Sequence, residues 1–473
     1  MKKISFIILT IVFAKTLSGQ TSKPFITTWQ IEANDMITIP LQSGTYNFDY
    51  IWRNILDTAS TIRGTHINAD GDFTTFFALP GIYKLEIVGN SPHLRGYPSD
   101  KLIDVLQWGD IVWRDMEDMF QDWPGTGFSA TDAPNMSLVT SMKEMFLNAS
   151  NFDGDVTTWD VSNIRNMDGI FREALAFNQP IGNWNVRLVE NLNAIFFGSD
   201  SFNQDISGWD VSSVRNMNSV FFGAESFDQP LGTWDVSSAN TMVNTFRDAK
   251  SFNQNISNWD VSQVQAMEQM FQGAESFNQP IGTWDVSKVT KFKRMFLGAI
   301  QFDQSLGNWK FNTNATFQQF GNSGGSMSCQ NYSSTILGWN FNNPDLEDLP
   351  LFGFSSDYDA TASRAVDELQ DRGWPMSDGT DIGGDCGSAY QFPCSDTLSI
   401  GPDTLFGILT LNADQSIILD SIVFDTTGST LCTSGESINC LEGFEVIRGS
   451  EFTANIGAFI CNPSPPDTIF IPN

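Results

Sequence analysis

Apolar and polar positions keep one phase through the middle of this chain. In the stretch from Ser201 to Phe227, Ile206-x-x-Trp209-x-Val211 alternates apolar with polar positions. That alternation predicts a short half-buried strand with Trp209 and Val211 inward. Ser212 and Ser213 then read as a turn. Met217, Val220, Phe221 and Ala224 follow at i, i+3, i+4 and i+7, one face of a helix of about two turns. Asn216 stands at its N-cap and Gly223 near its end. Phe227 returns inward, and Asp228-Gln229-Pro230 turns into the next unit.

The same phrase recurs. Trp159, Trp184, Trp209, Trp234, Trp259, Trp284 and Trp309 are each 25 residues apart, and two phenylalanine series run in step, Phe146 to Phe296 and Phe152 to Phe302. A fixed period of this length marks a solenoid, a propeller or an array, and 25 residues cannot hold a four-stranded propeller blade. The Ile-x-x-Trp-x-Val pattern fits the strand signature of leucine-rich repeats. The expected fold is an α/β solenoid, a leucine-rich-repeat-like stack of strand–turn–short-helix units flanked by all-β domains. One unit buries too little to order itself, so each must lean on its neighbours. The tryptophans are then a core ladder, and the methionines (Met167, Met217, Met242, Met267) fill gaps beside the rings.

The ends depart from the phrase as capping units do. Asn135 to Phe146 is half a unit, with Pro134 where Trp would stand. Met116, Met119 and Phe120 read as a more divergent helix. Trp309-Lys310-Phe311 breaks the Trp-Asp-Val pattern, and Gly321 replaces a phenylalanine. The expected divisions are 1–19, 20–90, 91–134 (N-terminal cap), 135–320 (solenoid), 321–386 (C-terminal cap) and 387–473 (β-rich module). Short alternating runs such as Gly407–Asn412 carry the last of these.

Charge narrows the partners. The 473 residues hold 25 Lys+Arg against 55 Asp+Glu, a net charge of −30. Such a chain is a poor ligand for nucleic acid or anionic membrane. Lys2 and Lys3, the apolar run Ile4–Ala14 and the small residues around Gly19 read as a secretory signal peptide. No later segment is apolar for long enough to span a bilayer. The expected location is therefore secreted or cell-surface. All six cysteines lie in the last third, and in an exported chain an even count suggests disulfides. Cys329 and Cys386 bracket one segment and form the candidate pair; Cys394, Cys432, Cys440 and Cys461 leave three pairings open. With two histidines and no CxxC, no zinc site is expected. The Asn68–Asp72 loop has Leu79 where a calcium loop needs its closing glutamate.

Candidate binding residues lie beside the tryptophans. Asp160, Asp210, Asp235, Asp260 and Asp285 each follow one and must point outward, with Asn185 interrupting the column. Three readings stand: an Asx-type bond to the following turn, a cation such as calcium held between units, or an acidic recognition stripe for a basic partner. Thr158, Asn183, Thr233, Asn258 and Thr283 flank the stripe as small polar neighbours. The Asn and Asp of the recurring Phe-Asn/Asp-Gln (Asn178, Asn203, Asp228, Asn253, Asn278, Asp303) are expected to bond turn backbones. No nucleophile, metal or phosphate motif is present, so no catalytic residue and no cofactor is assigned and the chain is not expected to be an enzyme.

"FNQPIGTWDVSKVT" with "MEQMFQGAESFNQ" resembles the 25-residue repeat of BspA-like leucine-rich-repeat surface proteins, known also in mycoplasma surface lipoproteins. The resemblance runs from about Leu102 to Cys386. It implies an extracellular bacterial protein that binds host proteins, matrix or other bacterial cells in adhesion, and it brings no catalytic residue. Pro80–Gly89 ("PGIYKLEIVG") resembles the closing strand of a PKD-like β-sandwich. Gly443–Gly457 is similar to a β-rich segment of secreted proteins of Bacteroidota. The expected function is protein or matrix binding through the solenoid's strand face. The alternatives are a structural spacer that displays the C-terminal module and an accessory carbohydrate-binding protein.

Overall fold

The computed structural model describes residues 22–39, 47–57, 61–67, 73–89, 99–321, 327–348, 356–375, 381–382 and 386, with five short strands between 397 and 440. The expected signal peptide, the Asn68–Asp72 loop, Cys394, Cys461 and Gly443–Gly457 lie outside these residues. The chain divides into two compact units, residues 1–114 with 128–138, and residues 115–127 with 139–473.

The first unit is a two-layer β structure. Strands β1 (Phe25–Ile31), β3 (Asn47–Asn54), β4 (Thr61–Ile67), β6 (Gly81–Gly89) and β7 (Leu102–Gln107) form an antiparallel sheet in the order β4-β3-β6-β1-β7. Strands β2 (Asp35–Ile39) and β5 (Phe73–Phe77) pair separately. Along β5, Phe73, Thr75 and Phe77 are buried while Thr74 and Phe76 are exposed, the two-residue period of a strand with one wet face. Phe73 meets Tyr50 at 4.3 Å between ring centroids, and Phe77 meets Trp52 at 5.0 Å and Tyr83 at 4.9 Å. The division expected at residue 90 does not hold here. β7 pairs with the free edge of β1 and buries Leu102 and Val105, so the sheet runs on past that point. Residues 128–138 return to it: the Ala130 amide donates to the Val105 carbonyl at 2.9 Å, and the Asp132 carboxylate accepts from the amides of Trp108 and Gly109.

In the second unit, successive 25-residue segments lie side by side and parallel. Single bridges link Ser141, Asn166, Asn191, Asn216, Thr241, Ala266, Lys291 and Thr316 in turn. Each such segment is called a rung below. The amides of Met217, Ser219, Phe221 and Gly223 donate to the carbonyls of Thr241, Val243, Thr245 and Arg247 at 2.8–3.1 Å, and the same four-bond set recurs from rung to rung. The amides between them close tight turns, Phe222 on Ser219 and Ala224 on Phe221.

The short helix expected over 217–224 is therefore not formed. No α-helix occurs among the described residues before Cys329. Ser219 (φ 55°) and Gly223 (φ 68°) are left-handed, as are their counterparts in the other rungs, and a right-handed helix cannot pass through them. An isolated two-turn helix is costly to nucleate, whereas a neighbouring rung offers an acceptor to every second amide. Pairs of turns also place apolar residues at i, i+3, i+4 and i+7. The expected strand at Ile206–Val211 is likewise two turns, Trp209 on Ile206 and Val214 on Val211. Its inward and outward pattern is kept: Trp209 and Val211 are buried and Asp210 is exposed.

Side chains join the rungs along that edge. Each indole N–H from Trp184 to Trp309 donates to a carbonyl of the preceding rung, 28 residues earlier, at 2.9–3.2 Å. The rings stack in columns: Trp on Trp at 6.3–6.5 Å from Trp184 to Trp284, and two Phe columns at 5.5–6.1 Å from Phe146 and Phe152 onward. A finer period spans two rungs. Pro-Ile/Leu-Gly rungs alternate with Asp/Asn-Ile-Ser rungs. A Cβ on Gly182 would lie 2.3 Å from the Asp205 carbonyl oxygen of the next rung, so only glycine fits there.

Both ends of the ladder are built differently. Residues 115–127 form a first rung whose Phe120 ring stacks on Phe146 at 5.4 Å. Its amides at Asp118, Phe120 and Asp122 donate to Lys143, Met145 and Leu147. At the other end helix α1 (Cys329–Asn342) takes the place of a rung. The Ser328 amide donates to the Asp303 carboxylate, which continues the 25-residue ladder, and the Trp339 indole donates to the Leu306 carbonyl. Helix α2 (Ala360–Asp371) packs on α1 and starts at Asp359, whose carboxylate accepts from the Ala362 amide. Cys329 and Cys386 are joined in a disulfide. Beyond it, β8 (Thr397–Ile400), β10 (Ser416–Leu419) and β12 (Ser437–Cys440) pair in parallel, as do β9 (Thr410–Leu411) and β11 (Leu431–Cys432).

Candidate functional site

The exposed aspartates sit where turn chemistry puts them. In each regular rung the residue after the buried Trp points out and its carboxylate turns back on the chain. Oδ1 of Asp160, Asp210, Asp235, Asp260 and Asp285 accepts from the backbone N–H of Ser162, Ser212, Ser237, Ser262 and Ser287 at 3.0–3.2 Å. The hydroxyls of Ser212 and Ser237 donate to the same atom at 2.6 Å. Asn185 makes the equivalent, longer bond to the Arg187 amide at 3.4 Å. The column is thus a set of Asx turns, each fixing one carboxylate oxygen on an exposed side chain. The serine hydroxyl and then the serine amide hold the carboxyls of Asp160, Asp210 and Asp260 below the ordinary carboxylate range, because both bonds favour the ionised form.

The flanking positions Thr158, Asn183, Thr233, Asn258 and Thr283 are all exposed. Asn183 Nδ2 and the Thr233 hydroxyl donate to carbonyls of the preceding rung, Thr157 and Ser207, at 2.9 Å. Asp155 and Asp205 add further exposed carboxylates, held low by the hydroxyls and amides of Thr157 and Ser207. The tryptophans Trp159 to Trp309 lie beneath this face and are no more than 4% exposed. Their rings cannot serve as a stacking surface for a ligand.

The Asn and Asp side chains of the Phe-Asn/Asp-Gln motif bond backbone amides, as expected, and those amides belong to the following rung. The side chains accept from the next rung: Asn178 Oδ1 from the Asn203 amide at 3.0 Å, Asn203 Oδ1 from the Asp228 amide at 3.0 Å, and so on from Asp153 to Asp303. The glutamine of the next rung donates to the same atom. An acceptor at this position gives each rung a bond that its own backbone lacks.

Among the described residues, one group of three metal-ligand types brings its atoms within 4.8 Å of one another: Cys329, Asp359 and Cys386. The two cysteines are bonded to each other, so they offer no thiolate. The aspartate column gathers no comparable group. No helix of the described residues is long and apolar enough to cross a membrane.

Two features escaped the sequence reading. Arg172, Phe197, Phe222 and Arg247 occupy one position in four successive rungs. The phenyl rings stack at 4.3 Å, with the guanidiniums over their outer faces at 5.0 and 4.7 Å. The second feature is a run of cations at Lys288, Lys291, Lys293 and Arg294. Both are legible when the sequence is read down columns at the 25-residue step instead of along the chain.

Residues 114–233 and 216–334 match one family model, described as "Mycoplasma protein of unknown function, DUF285". The two matches together span a little under half of the chain and coincide with the stacked rungs. These rungs are thus similar to the repeat of that mycoplasma family. No curated protein matches this chain, and no solved structure matches it.

Proposed function

We propose that this is an exported bacterial surface protein, BspA-like in kind, whose rungs form one continuous leucine-rich-repeat-like solenoid binding a basic protein or matrix partner in adhesion. The PKD-like reading of the first unit belongs to the same proposal, supported by its two facing β layers. The observation that carries the binding reading is the aspartate column. Each carboxylate has Oδ1 engaged in a turn and its side chain exposed, which leaves Oδ2 of successive rungs aligned for an external cation-bearing surface. Preordering by the turn lowers the entropy lost on binding.

The test uses Asp210→Asn, Asp235→Asn and Asp260→Asn together. Asparagine already occupies this column at Asn185 and keeps the turn bond, so the variant removes charge while preserving the fold. Surface plasmon resonance against host matrix proteins and intact neighbouring bacteria is expected to show binding that the triple variant loses. Unchanged binding would sink the reading.

A second reading rests on the turns themselves. If closing the turn is the whole role of each aspartate, the rungs are a spacer that displays the C-terminal module. Deleting residues 203–252 removes two full rungs and keeps the two-rung alternation. A spacer retains its function after this deletion, whereas a binding face loses affinity.

A further inference from the structure

A run of repeats hides special function in its departures, and the seventh regular rung departs in charge. Lys288, Lys291, Lys293 and Arg294 place four cations within seven residues of a chain in which acidic residues outnumber basic ones by 55 to 25. The corresponding positions of the adjacent rungs are neutral or acidic. Lys291 stands between Ala266 and Thr316, Lys293 between Glu268 and Gln318, and Arg294 between Gln269 and Gln319. Lys288 and Lys291 are exposed and Lys293 and Arg294 half-buried, while Val289, Phe292, Met295 and Phe296 between and beside them are buried.

Among the described residues none of the four cations lies within ion-pair distance of a carboxylate, and only Lys288 acts measurably on one, Asp260 of the preceding rung. Two of them are held by neutral amides. The Lys288 ammonium donates to Gln263 Oε1 at 2.8 Å, and Arg294 Nε donates to Gln319 Oε1 at 2.7 Å. These bonds reach to the rung before and the rung after. They fix two cationic side chains without neutralising them, which suits a surface reserved for an external anion. Beside Glu268 and Asp260, the neighbours of the charges are amides and hydroxyls (Gln263, Gln319, Thr316), the donors and acceptors that match a hydroxyl-rich ligand. The neighbouring rings, Phe292 and Phe296, are fully buried, so the patch lacks the aromatic platform on which single-stranded nucleic acid stacks.

We propose that this patch is a docking site for an anionic polysaccharide, a sulfated or polyuronate chain lying across three rungs. It does not require the aspartate column to bind a partner, although Lys288 acts on the Asp260 carboxylate of that column. The lysines and Arg294 meet sulfate or carboxylate groups, and the glutamines and Thr316 meet sugar hydroxyls.

The test compares the full chain with a variant carrying Lys291→Thr, Lys293→Gln and Arg294→Gln. Each replacement is the residue that the next rung already holds in that column. Gln269 and Gln319 share the left-handed backbone of Arg294, so the fold tolerates the change, and an unaltered thermal melt verifies it. Heparin and polygalacturonate are titrated calorimetrically in about 50 mM salt, a range in which charge-driven binding is strong. Binding is expected, with an affinity that falls as salt rises and drops about a hundredfold in the variant, near a factor of five for each of three lost charges. Arg165→Gln, on a distant rung, leaves it unchanged. Failure of both polymers to bind, or full retention of binding by the variant, overturns the proposal. Equal affinity for single-stranded DNA or anionic vesicles of matched charge overturns the assignment to a glycan.

Discussion

Replacing Trp234 by alanine tests the physical basis of the rungs. The side chain is 3% exposed. Its ring stacks on Trp209 at 6.3 Å and Trp259 at 6.5 Å and tilts against Phe221 at 6.1 Å, and its indole N–H donates to the Ile206 carbonyl at 3.1 Å. Burying roughly 200 Å² of such a side chain at about 25 cal/mol per Å² gives an upper bound near 5 kcal/mol. Truncation of buried tryptophans to alanine costs about 3–5 kcal/mol, so a loss of about 4 kcal/mol is expected. Trp234→Phe keeps a ring but orphans the Ile206 carbonyl, and should lose about 1–3 kcal/mol. Equilibrium urea unfolding of the full chain, followed by far-UV circular dichroism, reads both. In a nearest-neighbour stack a damaged middle rung also uncouples its two sides. The alanine variant should therefore unfold in two steps and be cleaved first near residue 234 in limited proteolysis. Asp235→Asn, one residue away on the exposed face, should stay within about 0.5 kcal/mol of the parent. If Trp234→Ala costs less than about 1 kcal/mol and leaves the cleavage sites unmoved, the ring column is not what holds the rungs together.

Four further outcomes follow from the same geometry. Replacing Cys329 and Cys386 by serine opens a 57-residue loop and should cost about 4 kcal/mol on the chain-entropy account, read as loss of α1 and α2 in thermal melts. Asn203→Leu removes the acceptor for the Asp228 amide and Gln229 and should cost about 1–3 kcal/mol, whereas Asn203→Asp, the residue of the next rung, should be nearly neutral. The carboxyls of Asp160, Asp210 and Asp260 titrate lower in the folded chain than in the unfolded one. Their contribution is thus present above the unfolded value near 3.9 and lost as pH falls through the folded values; Tm should decline below about pH 4, and less steeply when all three are asparagine. Asn343 is 4% exposed, with Oδ1 accepting from the Phe311 amide at 2.8 Å and Nδ2 donating to the Trp309 carbonyl at 3.1 Å; Asn343→Leu should uncover the end of the ladder and produce concentration-dependent association in sedimentation velocity.

Burial was legible in the sequence because it depends only on the period. The Trp and Phe columns, the inward valines and the outward aspartates all lie where a 25-residue step puts them. Local conformation was less legible. The spacing Met217, Val220, Phe221, Ala224 is shared by a helix and by a pair of turns, and residue type does not decide between them. Glu144, Ser219 and Gln269 hold one left-handed position with three unrelated side chains, so the signal that breaks the helix is absent from composition. β7 was missed because "LIDVLQ" carries no turn signal linking it to β1. That the Phe-Asn-Gln asparagines bond backbone was legible, but which rung supplies the amide was not, because a bond that reaches forward by 25 residues leaves no mark within a single rung. The turn role of Asp210 was open to a reading of single rungs, since both partners lie within three residues.

These features give the stack a direction. In each rung four amides point toward the next rung and four carbonyls point back, while the indole N–H groups and the amides at Asn203 and its counterparts point the other way. A ladder of this kind cannot simply stop, because the last rung would present unpaired backbone groups to any passing copy of the same sequence, the hazard of every open sheet edge. Another turn-built rung would move the problem one step along. α1 removes it, because a helix satisfies most of its backbone internally and meets the last rung with side chains: the Thr335 hydroxyl accepts from the Leu306 amide, Asn342 donates to the Gly307 carbonyl, and Asn343 serves both Phe311 and Trp309. Among the described residues, the helix that replaces a rung therefore stands at the point where the repeating hydrogen-bond pattern has to end.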